Sequence, residues 1–324
     1  MFESIRRILF VQQADLLEEQ QPQVLQRLKE KLPDAEVFFA GTADQVPVGA
    51  KFDALIAPTV SWLPEVLERI QGVDWIHFLS AGVEKIWDMD FDKQSILMTK
   101  SSGVHGRPMS EFAIGAMLYF AKQFGRFSEQ SRQHVWERGW LDELTGRRLA
   151  VLGLGHVGQA VAERAKMFGM RVVGTVNSPR TIAVADHVFP TEALREALQG
   201  ADYLCICLPL TPSTRGLVDH AALSQLRRGA VVVDISRGGV MCQSAVLQAL
   251  DAGHLSGAAL DVFENEPLET TSPLWGRPDV LLTPHVSGTT PHYVDRALDV
   301  FLTNAERLLA GETPATPIDV VRGY

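Results

Sequence analysis

Three glycines stand at a spacing that chemistry can use. Residues 149–169 read LAVLGLGHVGQAVAERAKMFG: an apolar run, then Gly153, Gly155 and Gly158 in a GxGxxG pattern, then an amphipathic helical stretch. In a strand–turn–helix setting each glycine has a task. One permits the tight turn, one lets backbone amides approach a pyrophosphate, and one allows close packing of helix on strand, with the helix N-terminus facing the anion. The context predicts a dinucleotide site, with His156 and Val157 among its contacts. An NAD-selective site carries an acid near the end of the next strand. That strand, RVVGTV, runs into NSPR, so Val176 or Asn177 holds the position and there is no carboxylate. Asn177 and Ser178 offer hydrogen bonds and Arg180 a charge, which predicts NADP as the preferred cofactor with NAD possible. The plainer reading makes Arg180 a solvated turn residue.

Three later apolar runs end in polar groups that a strand end does not itself need. AVVVDI ends in SRGG with Arg237, GAALDVFENEP ends in an acidic loop with Asp261 and Glu266, and VLLTPH ends at His285. In doubly wound sheets ligands bind beyond the carboxyl ends of the strands, so topology places these residues together at one end of a bound dinucleotide.

The elements that must hold them alternate along the chain. Short β-branched or aromatic runs (ILFV at 8–11, VFFA at 37–40, ALIA at 54–57, WIHFL at 75–79, then LAVLGLG, RVVGTV, YLCICL, AVVVDI and VLLT) alternate with helical patterns. This is the βαβ rhythm of parallel sheets covered by helices. Pro22 is expected to open a helix through Val24, Leu25, Leu28 and Leu32, and Pro64 another through Val66, Leu67 and Ile70. From Pro108, EFAIGAMLYFAKQF is apolar nearly all round, as a buried helix spanning two domains would be. Periodicity leaves the packing of the final helical stretch, HYVDRALDVFLTNAERLLAGE, open.

The chain has 324 residues, enough for two domains at roughly 150 residues each. Hydrophobic residues make up 46% and charged residues 21%, which disfavours disorder. A net charge of -9 leaves no electrostatic footprint for nucleic acid or an anionic membrane. Cys205 and Cys207 face one side of an apolar run, and with Cys242 they read as reduced thiols. There is no CxxC and no metal is expected. The N-terminus lacks a signal peptide and no run reaches about 18 apolar residues, so a cytoplasmic protein is expected.

Taken together, LSAGVE at 79–84, SSGVHG at 101–106, GLGHVG, CLPLT, SRGG, LDVFENEP, TPHVSG and the closing AGETP resemble the D-isomer-specific 2-hydroxyacid dehydrogenase family, which includes glyoxylate and hydroxypyruvate reductases. The resemblance implies an α/β fold of two Rossmann/flavodoxin-like doubly wound parallel-sheet domains. The substrate domain would be discontinuous, 1–103 and 289–324, around a dinucleotide-binding domain at 104–288. It implies a homodimer acting on a small 2-oxo or 2-hydroxy acid. Carried over residue by residue, Arg237 would pair with the substrate carboxylate, a task suited to a guanidinium fork. His285 would be the proton donor in reduction, and Glu266 would bond its other ring nitrogen.

The resemblance also makes Leu79, Ala81 and Gly82 a second substrate-binding element. It places Leu208 and Pro209 beside the adenosine and ribose, Thr214 near the phosphates, and Ile235, Ser236, Asp261 and Gly288 around the nicotinamide, with Asp261 accepting from its carboxamide. Asp234 stands where many relatives have Asn. Trp62, Leu79, Met109, Trp136 and Trp275 are candidate pocket walls, and His105 a hinge or packing residue. Opening and closing about 103 and 288 would exclude water. The same family includes dinucleotide-sensing corepressors, and a bulkier 2-oxo acid would fit the same chemistry, so both remain alternatives.

Overall fold

The apolar runs do form strands, and they are joined by helices in both halves of the chain. The computed structural model describes residues 4–178 and 180–320. It divides into two units, Met1–Val104 with Thr290–Tyr324, and His105–Thr289.

The first unit begins with β1 (Arg7–Val11), α1 (Ala14–Lys31), β2 (Glu36–Ala40), β3 (Lys51–Ala57), α2 (Leu63–Arg69), β4 (Gly72–Phe78) and β5 (Leu97–Lys100). The sheet is parallel in the order β2-β1-β3-β4-β5, the flavodoxin arrangement. Helix α2 opens at Pro64 as the sequence predicts, but α1 begins well before Pro22 and carries it inside. Leu17, Val24 and Leu28 are buried along one stripe, so packing continues the helix through the bond that a proline cannot make.

The second unit runs α3 (Gly106–Ala121), α4 (Phe124–Arg132), β6 (Arg148–Leu152), α5 (His156–Met167), β7 (Arg171–Val176), β8 (His187–Pro190), α6 (Leu194–Leu198), β9 (Tyr203–Ile206), α7 (His220–Leu223), β10 (Ala230–Asp234), α8 (Gln243–Asp251), β11 (Leu255–Leu260) and β12 (Val280–Leu282). Its seven strands are parallel in the order β12-β11-β10-β9-β6-β7-β8, the doubly wound pattern whose order reverses between β6 and β9. The expectation of an all-round buried α3 spanning two domains is corrected. The helix lies within this unit and buries Ala113, Ile114, Ala116, Met117 and Ala121, while Arg107, Glu111 and Gly115 form an exposed strip at helical spacing. Cys205 and Cys207 do face one side, their sulfurs 3.7 Å apart and unbridged.

The last helix, α9 (Tyr293–Leu309), returns to the first unit. Its buried stripe runs Val294, Ala297, Leu298, Phe301, Leu302, Ala305 and Leu308. Phe301 stacks on Trp75 with ring centroids 4.6 Å apart, and each such fully buried aromatic contributes about 1.5–3 kcal/mol. Beyond α9 the tail runs antiparallel to β5 through Lys100 N to Thr316 O and Ile318 N to Met98 O, covering an edge of the sheet. Among the described residues no helix is long and apolar enough to cross a membrane.

Under α9 lies a polar core. The ring nitrogens of His77 lie 2.7 Å from Thr99 Oγ1 and 3.0 Å from Ser101 Oγ, and Trp75 Nε1 donates to the same Thr99 hydroxyl. Burial pushes the His77 pKa from 6.5 down to about 3. The imidazole is therefore neutral when folded, while the unfolded chain takes up a proton near pH 6.5. Stability from this residue is present above pH 6.5 and falls as the pH drops toward 3, by roughly 2 kcal/mol at pH 5. Urea unfolding at pH 7 and pH 5 should show this loss in the parent and a smaller one in His77→Gln. Equal losses in both would contradict the assignment.

Candidate active site

The glycine-rich turn leaves the end of β6 at the reversal point of the sheet. Gly153 has φ +90°, and a Cβ there would sit 2.9 Å from Leu208 Cδ2 and 3.0 Å from Cys207 O. A Cβ on Gly158 would lie 2.0 Å from Gly153 O, so this glycine lets α5 pack on the turn. At Gly155 a Cβ would meet nothing within 4 Å. That open space lies at the N-cap of α5, which has no side-chain cap to occupy its first amides. Helix amides aimed at a cradle free of side chains fit the pyrophosphate of a dinucleotide. His156 and Val157 open that helix.

Beyond β7, Asn177 and Ser178 are exposed, and Thr191 Oγ1 holds the strand end through Val176 O and Asn177 Oδ1. Arg180 donates to Leu154 O at 3.3 Å and forms no ion pair among the described residues. Asp186, the acid nearest in sequence, bonds Val172 N at the opposite end of β7. The end of β7 therefore carries hydrogen-bonding groups and a cation with no acid of its own, and Glu192 follows Thr191 at the adjoining end of β8.

The ends of β10, β11 and β12 bring the remaining polar groups together. His285 Nδ1 lies 2.9 Å from Glu266 Oε2, and Glu266 Oε1 accepts from Phe263 N at 3.1 Å, which fixes the carboxylate from behind. His285 is a non-glycine residue at φ +54°, a sparsely populated conformation that needs outside support. Asp261 supplies it. Fully buried, its Oδ1 accepts from Thr283 Oγ1 at 2.7 Å and Val286 N at 2.8 Å, and its Oδ2 from Ser287 N at 2.9 Å. Arg237 is exposed at the end of β10, with Nη1 donating to Ser236 O. Gly238 follows because its neighbour leaves no room: a Cβ there would fall 1.6 Å from Phe263 O.

Sequence reasoning missed two relations here. Asp261 holds the histidine turn through partners more than twenty positions away, which no local pattern announces. His105 stands against Gly288, where a Cβ would meet its Nδ1 at 2.8 Å. Burial first, then the positive field of Arg237, lowers its pKa and keeps it neutral beside the other histidine.

Other expected contacts fall differently. Leu208 packs over the glycine turn and Pro209 is exposed beside it. The Thr214 hydroxyl bonds within its own loop, donating to Pro209 O at 2.6 Å and accepting from Thr211 N at 2.8 Å, and so shapes that loop. Ile235 and Ser236 are buried. In the first unit the Leu79 side chain is core, not pocket wall, and its carbonyl accepts from Tyr293 Oη at 2.6 Å. The amides of Ala81 and Gly82 donate to no described residue. Trp136 is 95% exposed, an open surface side chain where the sequence suggests a pocket wall. Trp275 is half exposed, its Nε1 tied to Glu269 O. Met109 packs against the core of its unit, and Trp62 lines a cavity in the other.

Residues 114–287 match the family model for the NAD binding domain of D-isomer specific 2-hydroxyacid dehydrogenases. The chain belongs to this family. It is 29% identical over 311 residues to glyoxylate/hydroxypyruvate reductase A of Yersinia enterocolitica, covering 93% of this chain and 96% of that one. A solved D-isomer specific 2-hydroxyacid dehydrogenase family protein from Aeromonas salmonicida superposes with a TM-score of 0.81 at 30% identity, covering 98% and 99% of the two chains. Another from Xanthobacter autotrophicus Py2, solved with NADPH and MES, gives 0.81 at 28% identity over 99% and 100%. The protein is thus an NAD(P)-dependent 2-hydroxyacid dehydrogenase with two Rossmann-type parallel-sheet domains.

One residue of this dehydrogenase is under electrostatic load. Asp234 is buried at the end of β10 with no ion pair among the described residues, its Oδ1 accepting from Ser236 N at 3.0 Å and Ser236 Oγ at 2.5 Å. Burial raises its pKa from 3.8 to about 6, against the pull of the Ser236 bonds. A carboxyl raised on folding contributes stability below its unfolded pKa and loses it as the pH passes the folded one. Asp234→Asn keeps the accepting oxygen and removes the charge. It should stabilise the protein at pH 8 by up to about 3 kcal/mol and give no gain near pH 4. Thermal unfolding at the two pH values checks this, and a gain independent of pH would contradict it. At the turn, Gly158→Ala should abolish dinucleotide binding measured by fluorescence titration, because its methyl group displaces Gly153 O.

Proposed function

We propose that this dehydrogenase reduces a small 2-oxo acid of the glyoxylate or hydroxypyruvate kind to the D-2-hydroxy acid, with NADPH favoured over NADH. The observation that carries the reading is the His285–Glu266 pair, held on the Asp261-braced turn beside Arg237 at the carboxyl ends of neighbouring strands. Glu266 occupies Nδ1, so Nε2 is the nitrogen left to face a substrate. Arg237 binds the carboxylate and draws on the carbonyl oxygen with a planar fork of donors. A bound reduced nicotinamide supplies the hydride to the carbonyl carbon. His285 Nε2 gives its proton to the carbonyl oxygen, and Glu266 stabilises the imidazolium before that transfer and keeps the ring in line. The reverse reaction runs with His285 as base.

The preference for NADPH rests on the strand end of β7, where Asn177, Ser178 and Arg180, which has no ion pair among the described residues, stand in place of a carboxylate that would repel a 2'-phosphate. The NADPH complex of the Xanthobacter relative supports it, and the name of the Yersinia relative supports the substrate class. Association into a homodimer belongs to the same reading. Trp136 and Trp140 are 95% and 97% exposed, surfaces that a second copy would cover.

Steady-state kinetics with a panel of 2-oxo acids and both cofactors test the proposal. Glyoxylate or hydroxypyruvate should be turned over with a higher kcat/KM for NADPH than for NADH, and the opposite order would remove the preference. Arg180→Ala should raise KM for NADPH roughly tenfold and leave that for NADH nearly unchanged. His285→Ala and Arg237→Ala should each lose about 100- to 10,000-fold in kcat/KM while folding normally. Retained activity in either would refute the roles given.

A further inference from the structure

The opposite end of the second unit's sheet holds a cavity that the proposed reaction does not use. It has a volume of about 590 Å³ and is lined by residues at the amino-terminal ends of β6, β9, β10 and β11 together with the end of α3. The glycine turn and His285 lie at the other ends of the strands. A volume of this order accommodates a small organic ligand.

Its charge runs against the rest of the chain. Four arginines, Arg126, Arg147, Arg227 and Arg228, line it against two acids, Asp142 and Asp202, in a protein with a net charge of -9. Asp202 Oδ1 is shared between Arg147 at 3.5 Å and Arg227 at 3.0 Å, and its Oδ2 accepts from Arg148 N at 2.9 Å. Asp142 is taken by Arg147 at 2.5 Å. Arg126 pairs with Glu137 at 3.2 Å. Arg228 has no carboxylate among the described residues, only Ala252 O at 3.2 Å. Holding a helix C-terminus accounts for that one bond and leaves the guanidinium charge uncompensated.

Tyr203 adds a hydrogen-bond donor. The residue lines the cavity and is 5% exposed as a whole, with its hydroxyl open to solvent and bonded to no described residue. Burial pushes its pKa up to about 12, so it remains a donor at neutral pH. Tyr119 and Phe120 add aromatic surface on the α3 side.

We propose that this cavity is a second ligand site, for a phosphate-bearing anion of nucleotide size. Arg227 and Arg228 meet the phosphate, the Tyr203 hydroxyl donates to it, and Tyr119 and Phe120 flank the ring. The excess of guanidinium over carboxylate supplies the attraction, and forked donors suit phosphate oxygens.

Calorimetric titration of the full-length protein with ADP, and separately with inorganic pyrophosphate, tests this with and without saturating NADPH. ADP should bind in both conditions, because NADPH fills only the glycine-turn site. With NADPH saturating, Arg228→Ala and Tyr203→Phe should each weaken ADP roughly tenfold or more, and neither should change NADPH affinity. Pyrophosphate should bind about tenfold more weakly than ADP for want of the stacked ring. ADP binding that disappears under NADPH, or that survives both substitutions unchanged, overturns the proposal. So does the absence of binding by either probe, and pyrophosphate binding as tight as ADP overturns the nucleotide part. Failure of NADPH itself to bind would instead count against the proposed function, since the titration without NADPH is read separately.

Discussion

A single buried carboxylate, Asp261, carries the geometry of the proposed reacting end. The turn after β12 places His285 at φ +54°, a conformation that costs about 1–3 kcal/mol for a residue with a side chain. Three donors from that turn, Thr283 Oγ1, Val286 N and Ser287 N, converge on the Asp261 oxygens. A carboxylate with no cation at hand is expensive to bury, and three charge-assisted bonds are what make it tolerable. The same bonds fix the histidine ring where Glu266 can reach its Nδ1. Glu266 is held by Phe263 N, and the backbone at Phe263 lies so close to Gly238 that no other residue fits there. Arg237, one position earlier, is thereby tied to the same assembly.

The topology explains why this assembly and the glycine turn belong to one reaction. All seven strands of the unit run in one direction, so every strand end named in the proposal lies on one edge of the sheet. The glycine turn follows β6 and the Leu208 loop follows β9, the two strands between which the order reverses. The anions of the proposed reaction are met there by helix amides and isolated arginines, within a chain whose net charge is -9. Acidity of the whole therefore says little about either end of this sheet.

Much of this was legible in the sequence because it is written locally. The glycine pattern, the β-branched runs and the polar strand ends each declare a period or a turn. What stayed hidden depends on distant partners. The four-residue β5 and the partly exposed β8, HVFP, are too short to stand out from their surroundings. β11 is rich in glycine and alanine because Phe120 lies where a Cβ of Gly257 would be, at 2.5 Å. Pro22 looked like a helix start because a proline signals locally, whereas burial of Leu17 is a tertiary fact. Trp136 has a residue type that suits a pocket wall or a core, but exposure is not encoded in residue type. Asp261 was read as a cofactor contact, and its bonds to the turn after β12 appear only in three dimensions.

The central claim is that Asp261 presents His285 as the proton donor, and Asp261→Asn tests it most directly. The amide would turn a donor toward Ser287 N and release the turn. Turnover of hydroxypyruvate with NADPH, read beside NADPH affinity and thermal stability, separates positioning from folding. The account predicts that kcat falls by about a hundredfold or more, as misplacement of a reacting group by an ångström does, while the protein remains folded and binds NADPH. An undiminished kcat in a folded Asp261→Asn enzyme would contradict it.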